Sequence, residues 1–146
     1  MKVKLRIDSQ ITEDSVSIEA RLMTESIQEL VHFAQHLSKE DKIHVKKEDE
    51  IYLLDAKEIH RVYTENRRVR VRTAKDSYRA QQALYQLMQV LPDYFLQISQ
   101  SEIINSRQIS HLKLTPNGLI QIFLKNGDQT YSSRRYLKSI KERLQL

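Results

Sequence analysis

Arg67-Arg68-Val69-Arg70-Val71-Arg72 is the stretch that decides the fold class of this chain. From Arg68 onward, basic and apolar side chains alternate with a period of two, which is the period of a β-strand. Such a strand sends Arg68, Arg70 and Arg72 to one face and the two valines to a buried face. A row of guanidinium groups offers a counter-surface for phosphates, although a solvated charged face has the same pattern.

Other segments repeat this strand pattern. Short strands are predicted over residues 51–54, 59–63, 69–73, 109–114 and 119–124, and Asn126-Gly127 is a hairpin turn that leads to a strand over 129–132. Apolar residues recur at helical spacing in residues 80–91, where Pro92 ends the helix, and a basic helix is predicted over residues 134–145. The predicted class is therefore mainly β with α (α+β), built of short antiparallel sheets.

The N-terminal part has a different pattern. Residues 3–7 and 16–20 alternate apolar with polar side chains and predict two strands, and residues 25–37 predict an amphipathic helix with Thr24 as its cap. We therefore expect a small strand-strand-helix module over residues 1–44, with a regulatory or dimerisation role, and a larger domain over residues 45–146.

Charge and composition narrow the class of function. The formal net charge is +5, but residues 1–45 carry −2 and residues 46–146 carry +7, so a polyanion site is expected in the larger domain. The sequence has no cysteine, which excludes disulfides, thiolate zinc sites and cysteine nucleophiles. No stretch is long and apolar enough to cross a membrane, and we expect a cytoplasmic protein.

Motifs for catalysis and metal binding are missing from the sequence. Two glycines in 146 residues cannot form a glycine-rich phosphate loop. His32 and His36 have a spacing that can bind a metal, but no third ligand accompanies them. Asp55 and Glu58 flank a turn, and turn chemistry accounts for Asp55. We therefore predict no catalytic residue, no metal, no cofactor and no small-molecule substrate.

Two further segments favour contact with nucleic acid. In residues 95–105, Ser99-Gln100-Ser101 forms a polar tip between apolar anchors. Glutamine can pair with adenine in a major groove, and serine can reach phosphate, although a plain connector would have the same composition. The second segment, Ser132-Ser133-Arg134-Arg135-Tyr136, lies at a predicted strand-to-helix junction, where helix starts favour anions.

These segments together resemble the LytTR DNA-binding domain, an all-β module of bacterial response regulators. The resemblance rests on residues 51–59, on Tyr63 with 67–73, on 95–105 with Ile109, and on 131–137, so it covers residues 45–146. It implies short antiparallel sheets whose loops enter successive major grooves, with a further contact over the intervening minor groove. The sequence departs from the family pattern at Gln97, where arginine is common, and at Glu102, where an aromatic or aliphatic residue is usual.

The resemblance assigns double-stranded DNA as the partner and places three contact loops. They are Asn66-Arg67-Arg68, Ser99-Gln100 and Arg134-Arg135. Arg67, Gln100 and Arg135 would be nearest the bases. Arg68, Arg70, Arg72, Lys138 and Lys141 would mainly attract phosphates.

Residues 1–44 are too few for the phosphoreceiver domain of the response regulators. The chain resembles instead the small stand-alone branch of Gram-positive bacteria, where a separate membrane protein often restrains the regulator. We expect a homodimer through the N-terminal module. Two rival functions remain open from the sequence: an adaptor whose basic face meets an acidic protein, and an RNA-binding module that would stack bases on Tyr52, Tyr63 and Tyr78.

Overall fold

The computed structural model describes residues 1–37 and 41–146, and these fall into two compact units. The first unit is Met1–Leu37, and the second comprises residues 38–146. The first strand of the second unit, β1 (Lys42–Lys47), begins after this division.

The first unit contains one regular element, helix α1 (Glu25–His36). The hydroxyl oxygen of Thr24 accepts a hydrogen bond from the Ile27 backbone nitrogen at 3.3 Å, so the predicted helix and its cap are confirmed. The two strands predicted over residues 3–7 and 16–20 are not formed, because the described residues of this unit contain no strand ladder. A strand needs a hydrogen-bonded neighbour, which apolar alternation alone does not supply.

The second unit is built around a seven-stranded antiparallel sheet, called here the large sheet. After β1, its strands are β2 (Glu50–Asp55), β3 (Arg61–Glu65), β4 (Arg68–Arg72), β5 (Ser77–Ala80), β6 (Phe95–Ser99) and β7 (Glu102–Asn105). Their spatial order is β2-β1-β5-β4-β3-β7-β6. Consecutive strands β3 and β4 form a hairpin, as do β6 and β7, so the two hairpins lie side by side through β3 and β7.

A small sheet of three strands completes the β structure. It contains β8 (Ile109–Leu114), β9 (Ile120–Leu124) and β10 (Gln129–Tyr131), with β9 in the centre. The predicted Asn126-Gly127 turn joins β9 to β10, and Gly127 has a φ of 92°, which favours glycine. The chain ends in a 3-10 turn (Arg134–Tyr136) followed by α3 (Leu137–Leu144), where the sequence predicted one helix over 134–145.

The large sheet has a hydrophobic core on each side of β7. Ile103 belongs to the first core, where it lies in register with Val62 and Val71 beneath helix α2 (Leu84–Val90). Ile104 faces the other way and packs in a second core with the small sheet and α3. Side chains that share a face with Ile104, which include those of the β4 arginines, therefore lie on the same face of the large sheet as the small sheet.

The helix predicted over residues 80–91 is shorter than expected. Residues Ser77–Ala80 form β5, in which Tyr78 and Ala80 are buried and Arg79 is exposed, so this segment has the period of a strand. Helix α2 then begins at Leu84 and ends before Leu91 and Pro92. Ala80 and Leu84 are both buried, at a spacing that also fits a helix, which is why the apolar pattern extended the prediction too far.

Candidate nucleic-acid interface

Two of the three predicted contact loops meet at one end of the large sheet. The β3–β4 turn holds Asn66 and Arg67, and the β6–β7 turn holds Gln100. The backbone nitrogen of Thr64 donates a hydrogen bond to the carbonyl oxygen of Ser101 at 2.9 Å, which joins the ends of the two hairpins. Residues that are more than thirty positions apart in the sequence are thus held together by main-chain atoms.

The third predicted loop is attached to the same place. The backbone nitrogen of Ser133 donates to the carbonyl oxygen of Ile98 at 2.9 Å, one residue before the polar tip. The Ser132 hydroxyl accepts from the Ile120 backbone nitrogen at 3.0 Å, so the strand-to-helix junction is also fixed to β9. The seven predicted contact residues of the three loops form one group, called here the loop cluster: Asn66, Arg67, Arg68, Ser99, Gln100, Arg134 and Arg135.

The β3–β4 turn is a two-residue hairpin closed by the pair Glu65 and Arg68. Asn66 has a φ of 51° and Arg67 a φ of 63°. Positive φ at both central residues is the requirement of a type I′ turn, which matches the twist of the flanking strands. Asparagine tolerates this conformation, but arginine rarely adopts it. The turn therefore places an exposed guanidinium at its tip in spite of an unfavourable backbone geometry.

The polar tip at residues 99–101 is braced by its own side chains. The Ser101 backbone nitrogen donates to the Ser99 hydroxyl oxygen at 3.2 Å. The amide nitrogen of Gln97 donates to the Ser99 carbonyl oxygen at 3.1 Å, so the residue that replaces the family arginine supports the loop from inside. Gln100 lies at the tip with its side chain exposed. This arrangement presents a glutamine amide on a turn that is held in a defined shape.

The arginines of β4 share one face, as the alternation predicts. Val71 is fully buried on the opposite face, and Val69 is half-buried there. Arg70 lies opposite Arg79 of β5, which in turn lies opposite Lys46 of β1. The resulting basic row, called here the arginine face, consists of Lys46, Arg68, Arg70 and Arg79. Among the residues that the structure describes, none of these four has an acidic ion-pair partner.

Sequence reasoning missed two members of the arginine face, Lys46 and Arg79. Arg79 was placed next to a predicted helix, and its position on the sheet depends on β5. The alternation of Ser77-Tyr78-Arg79-Ala80 is a strand signal that would have found it. Lys46 follows from the register between β1 and β5, which no local pattern predicts.

Arg72 differs from the other β4 arginines because its guanidinium is bound within the fold. Its Nε and Nη2 atoms donate to the two carboxylate oxygens of Asp128, each at 3.1 Å. Asp128 precedes β10, so this bidentate pair joins the large sheet to the small sheet. The charge of Arg72, which the sequence predicts to attract phosphate, is thus already compensated by a carboxylate within the fold.

A second ion pair lies beside the first. Arg61 Nε is 2.9 Å from Glu102 Oε2, and Thr130 donates its hydroxyl proton to Glu102 Oε1 at 2.8 Å. Arg61 also lies 3.8 Å from Asp128, so both pairs belong to one network between the two sheets. Glu102, which departs from the family pattern, is thus a buried carboxylate with a cation and a hydroxyl beside it.

The two carboxylates of this network respond to it in opposite ways. Hydrogen bonding from Arg72 lowers the pKa of Asp128 below the ordinary value, and the charges of Arg72 and Arg61 act in the same direction. Burial raises the pKa of Glu102, and the nearby Arg61 and Thr130 oppose this rise only in part. The inter-sheet contact therefore depends on an ionised Asp128.

The last predicted group lies on the C-terminal segment. Arg134 and Arg135 are exposed on the 3-10 turn, and Lys138 is exposed on α3. Ile140 anchors α3 in the second core, and Arg143 donates to the backbone oxygen of Asp93. The helix is thus fixed from one side while its basic side chains remain in solvent.

The described residues contain no cluster of side chains suited to binding a metal ion. Residues 1–37 and 41–146 contain no group of three His, Asp or Glu side chains that could hold a metal ion. The side chain of His36, one of the two histidines considered above, lies outside what the structure describes. None of the described helices has the length and apolar character needed to span a bilayer.

Fold and site together define a β-domain that presents arginine and amide side chains on loops gathered at one end. Comparison with known proteins agrees with this class. The family model of the LytTr DNA-binding domain matches residues 49–145. This chain belongs to the LytTR family of DNA-binding domains.

Relatives and a solved structure are consistent with that membership. Proteins named "uncharacterized HTH-type transcriptional regulator" from Staphylococcus aureus strains NCTC 8325 and MSSA476 are 37% identical over 146 residues, which is 100% of this chain and 99% of each relative. The LytTr DNA-binding domain of a Bacillus cereus response regulator superposes with a TM-score of 0.70 at 16% identity, covering 73% of this chain and 99% of that chain. The predicted LytTR resemblance and the predicted fold class are confirmed.

Proposed function

We propose that this chain is a transcriptional regulator that binds specific sites on duplex DNA through the loop cluster. The observation that carries the proposal is the pair of main-chain hydrogen bonds, from Thr64 and from Ser133, that gather three distant loops at one end of the large sheet. Membership of a DNA-binding family and the names of the staphylococcal relatives support it.

The contacts divide into two kinds by position. Arg67, Gln100 and Arg135 are exposed at the loop tips and would reach base edges in successive major grooves. Basic side chains set back from the tips would meet phosphates, which fix register and orientation without reading sequence. They are Arg68, Arg70, Arg79, Lys46, Arg134 and Lys138.

The proposed function is binding of DNA, with no chemical reaction. Arginine binds guanine O6 and N7 in a bidentate manner, and glutamine does the same for adenine N6 and N7. Ser99 would hydrogen-bond a phosphate oxygen or a base edge from its place beside Gln100. Restraint by a membrane protein, which the family resemblance implies, stays a prediction.

The test is a gel-shift titration with duplex DNA from upstream of the gene for this chain. Unlabelled random duplex and unlabelled RNA serve as competitors. We expect the upstream duplex to be retained in the presence of excess random duplex and excess RNA. Equal competition by random duplex would contradict sequence-specific binding. Stronger competition by RNA than by DNA would show that the loop cluster binds RNA.

Lys57 provides a charge-matched control for this test. It is exposed on the turn that precedes β3, at the end of that strand opposite the loop cluster. Lys57→Ala removes one positive charge from the same domain, so we expect it to leave the gel shift unchanged. A loss equal to that of Lys138→Ala would place the DNA on another surface.

A further inference from the structure

The first unit exposes its apolar side chains to an unusual degree. None of its described side chains is buried, and Val3, Leu5 and Ile7 are each more than 80% exposed. Phe33 of α1 is 66% exposed. Units shorter than about 40 residues generally fold only with disulfides, metals or oligomerisation. The chain has no cysteine, so the first unit needs another surface to cover it.

Val3 and Phe33, together with other apolar side chains of the unit, line one groove. It has a volume of about 350 Å³ and runs between residues 1–4, residues 16–19 and the apolar face of α1. The helix contributes Ile27, Leu30, Phe33 and Ala34. Exposed apolar patches rimmed by charged residues mark interaction surfaces, and Lys2, Lys4 and Glu19 stand at this groove.

The backbone beside the groove is also unpaired. Within residues 1–23 the structure describes a single backbone-to-backbone hydrogen bond, from the Ile11 nitrogen to the Asp8 carbonyl oxygen at 3.1 Å. Residues 3–7 and 16–20 nevertheless have the apolar alternation of strands. Free donors and acceptors on an alternating segment are a template for pairing with another strand.

The charge distribution of the first unit points to a second copy of this chain as the partner. Residues 1–8 carry a net +2, from Lys2, Lys4, Arg6 and Asp8. Residues 9–37 carry a net −4, with Glu13, Asp14, Glu19, Glu25 and Glu29 against Arg21. One unit thus holds both members of a complementary pair. In a two-fold interface, a contact between the basic segment of one copy and the acidic segment of the other forms twice, so a unit of this composition can be complementary to itself.

We propose that the groove of the first unit is the interface between two copies of this chain, in which residues 1–8 of each copy pair along residues 15–20 of the other. The pairing gives both segments the hydrogen-bonded neighbour that they lack and buries the groove around Leu30 and Phe33. It requires no DNA, so it can fail while the proposed DNA binding holds, and the reverse is also possible.

The first experiment measures the molar mass of the full chain without DNA by sedimentation velocity from 1 to 50 μM. We expect a reversible dimer for the wild type. Leu30→Asp/Phe33→Asp places two charges in the groove and should weaken dimerisation by about tenfold or more. Gln28→Asp/Gln35→Asp adds the same charge on the opposite face of α1 and should leave the dimer intact. A monomeric wild type at 50 μM would overturn the proposal, as would equal weakening by both pairs of substitutions.

The second experiment tests the charge pairing by exchange of partners. Lys2→Glu/Lys4→Glu changes the net charge of residues 1–8 from +2 to −2, so both segments are then acidic. Glu13→Lys/Glu19→Lys changes the net charge of residues 13–20 from −3 to +1, so the stretch that contains the pairing segment is then basic, like residues 1–8. Each variant alone should dimerise about tenfold more weakly than the wild type, whereas an equimolar mixture should restore the dimer, because unlike segments then face each other at both contacts. If the mixture forms no dimer, the basic and acidic segments do not pair between copies, and the proposed arrangement is overturned.

Discussion

The guanidinium of Arg72 holds the carboxylate of Asp128 by two hydrogen bonds of 3.1 Å across the junction of the two sheets, although the residues are 56 positions apart. Such bidentate pairs fix geometry as well as charge. Two neighbouring arginines of one strand, Arg70 and Arg72, should therefore differ in what their loss does.

Arg72→Gln should destabilise the fold, because it removes both guanidinium hydrogen bonds from the partly buried carboxylate of Asp128 and leaves it the 3.3 Å hydrogen bond from the Asn126 amide nitrogen. We expect a loss of about 1–3 kcal/mol in the free energy of unfolding, measured by urea denaturation. Arg70→Gln is the matched control and should change stability by less than about 0.5 kcal/mol. An equal loss in the two variants would show that the Asp128 pair adds nothing to stability.

Acid should remove the contribution of Asp128. Its pKa is lowered in the fold, so the stability it supplies is fully present above its ordinary value and is lost as pH falls through the folded value. The difference in unfolding free energy between wild type and Asp128→Asn should be constant from about pH 5 to 7 and shrink below pH 4. A difference that persists unchanged at pH 2.5 would contradict the ion pair.

Glu102 should show the opposite pH dependence. Burial raises its pKa, so the fold favours the protonated form, and its contribution to stability declines as pH rises from the ordinary value towards the folded one. The stability of Glu102→Gln relative to wild type should therefore improve as pH increases above about 4.5. A parallel pH profile for Glu102→Gln and Asp128→Asn would show that burial does not govern Glu102.

The +7 charge of residues 46–146 should make DNA affinity depend steeply on salt. For six or more phosphate contacts, affinity should fall by about a thousandfold between 50 and 200 mM salt, because bound counterions are released. Fluorescence anisotropy with a labelled duplex at five salt concentrations gives the slope. Affinity that stays constant across this range would remove the basis for phosphate contacts.

Gln100 and Lys138 should affect binding in different ways. Gln100→Ala should weaken the specific site by about 1–3 kcal/mol and leave random DNA nearly unaffected, because the amide is proposed to read a base edge. Lys138→Ala should weaken all sequences alike and reduce the salt slope by about one. If the two variants lose affinity equally on specific and random duplexes, the division into base and phosphate contacts is wrong.

Sequence reasoning was most successful where local patterns determine structure. The alternation in residues 67–72 identified β4 and its arginine side, and Thr24 marked the start of α1. The resemblance located three loops, and the structure shows them at one end of the large sheet.

Local patterns were not sufficient where contacts with distant residues determine the structure. Arg72 has the same local pattern as Arg70, and only the approach of Asp128 from the small sheet sets it apart. Glu102 is accommodated because Arg61 and Thr130 reach it from other strands. Val3 to Ile7 alternate as a strand should, yet the described first unit provides no ladder for them. Each outcome depends on a contact between elements, which periodicity cannot specify.

The hydrogen bonds that hold the three loops together, at Thr64–Ser101 and Ser133–Ile98, are made by peptide groups alone. Every residue except proline supplies the same donor and acceptor, so the tips can mutate without loosening the frame that carries them. Such a scaffold is evolvable: after gene duplication, changes at the proposed base contacts Arg67, Gln100 and Arg135 would direct a copy to new DNA sites. The fold would be inherited, and only the DNA sequence that it binds would change.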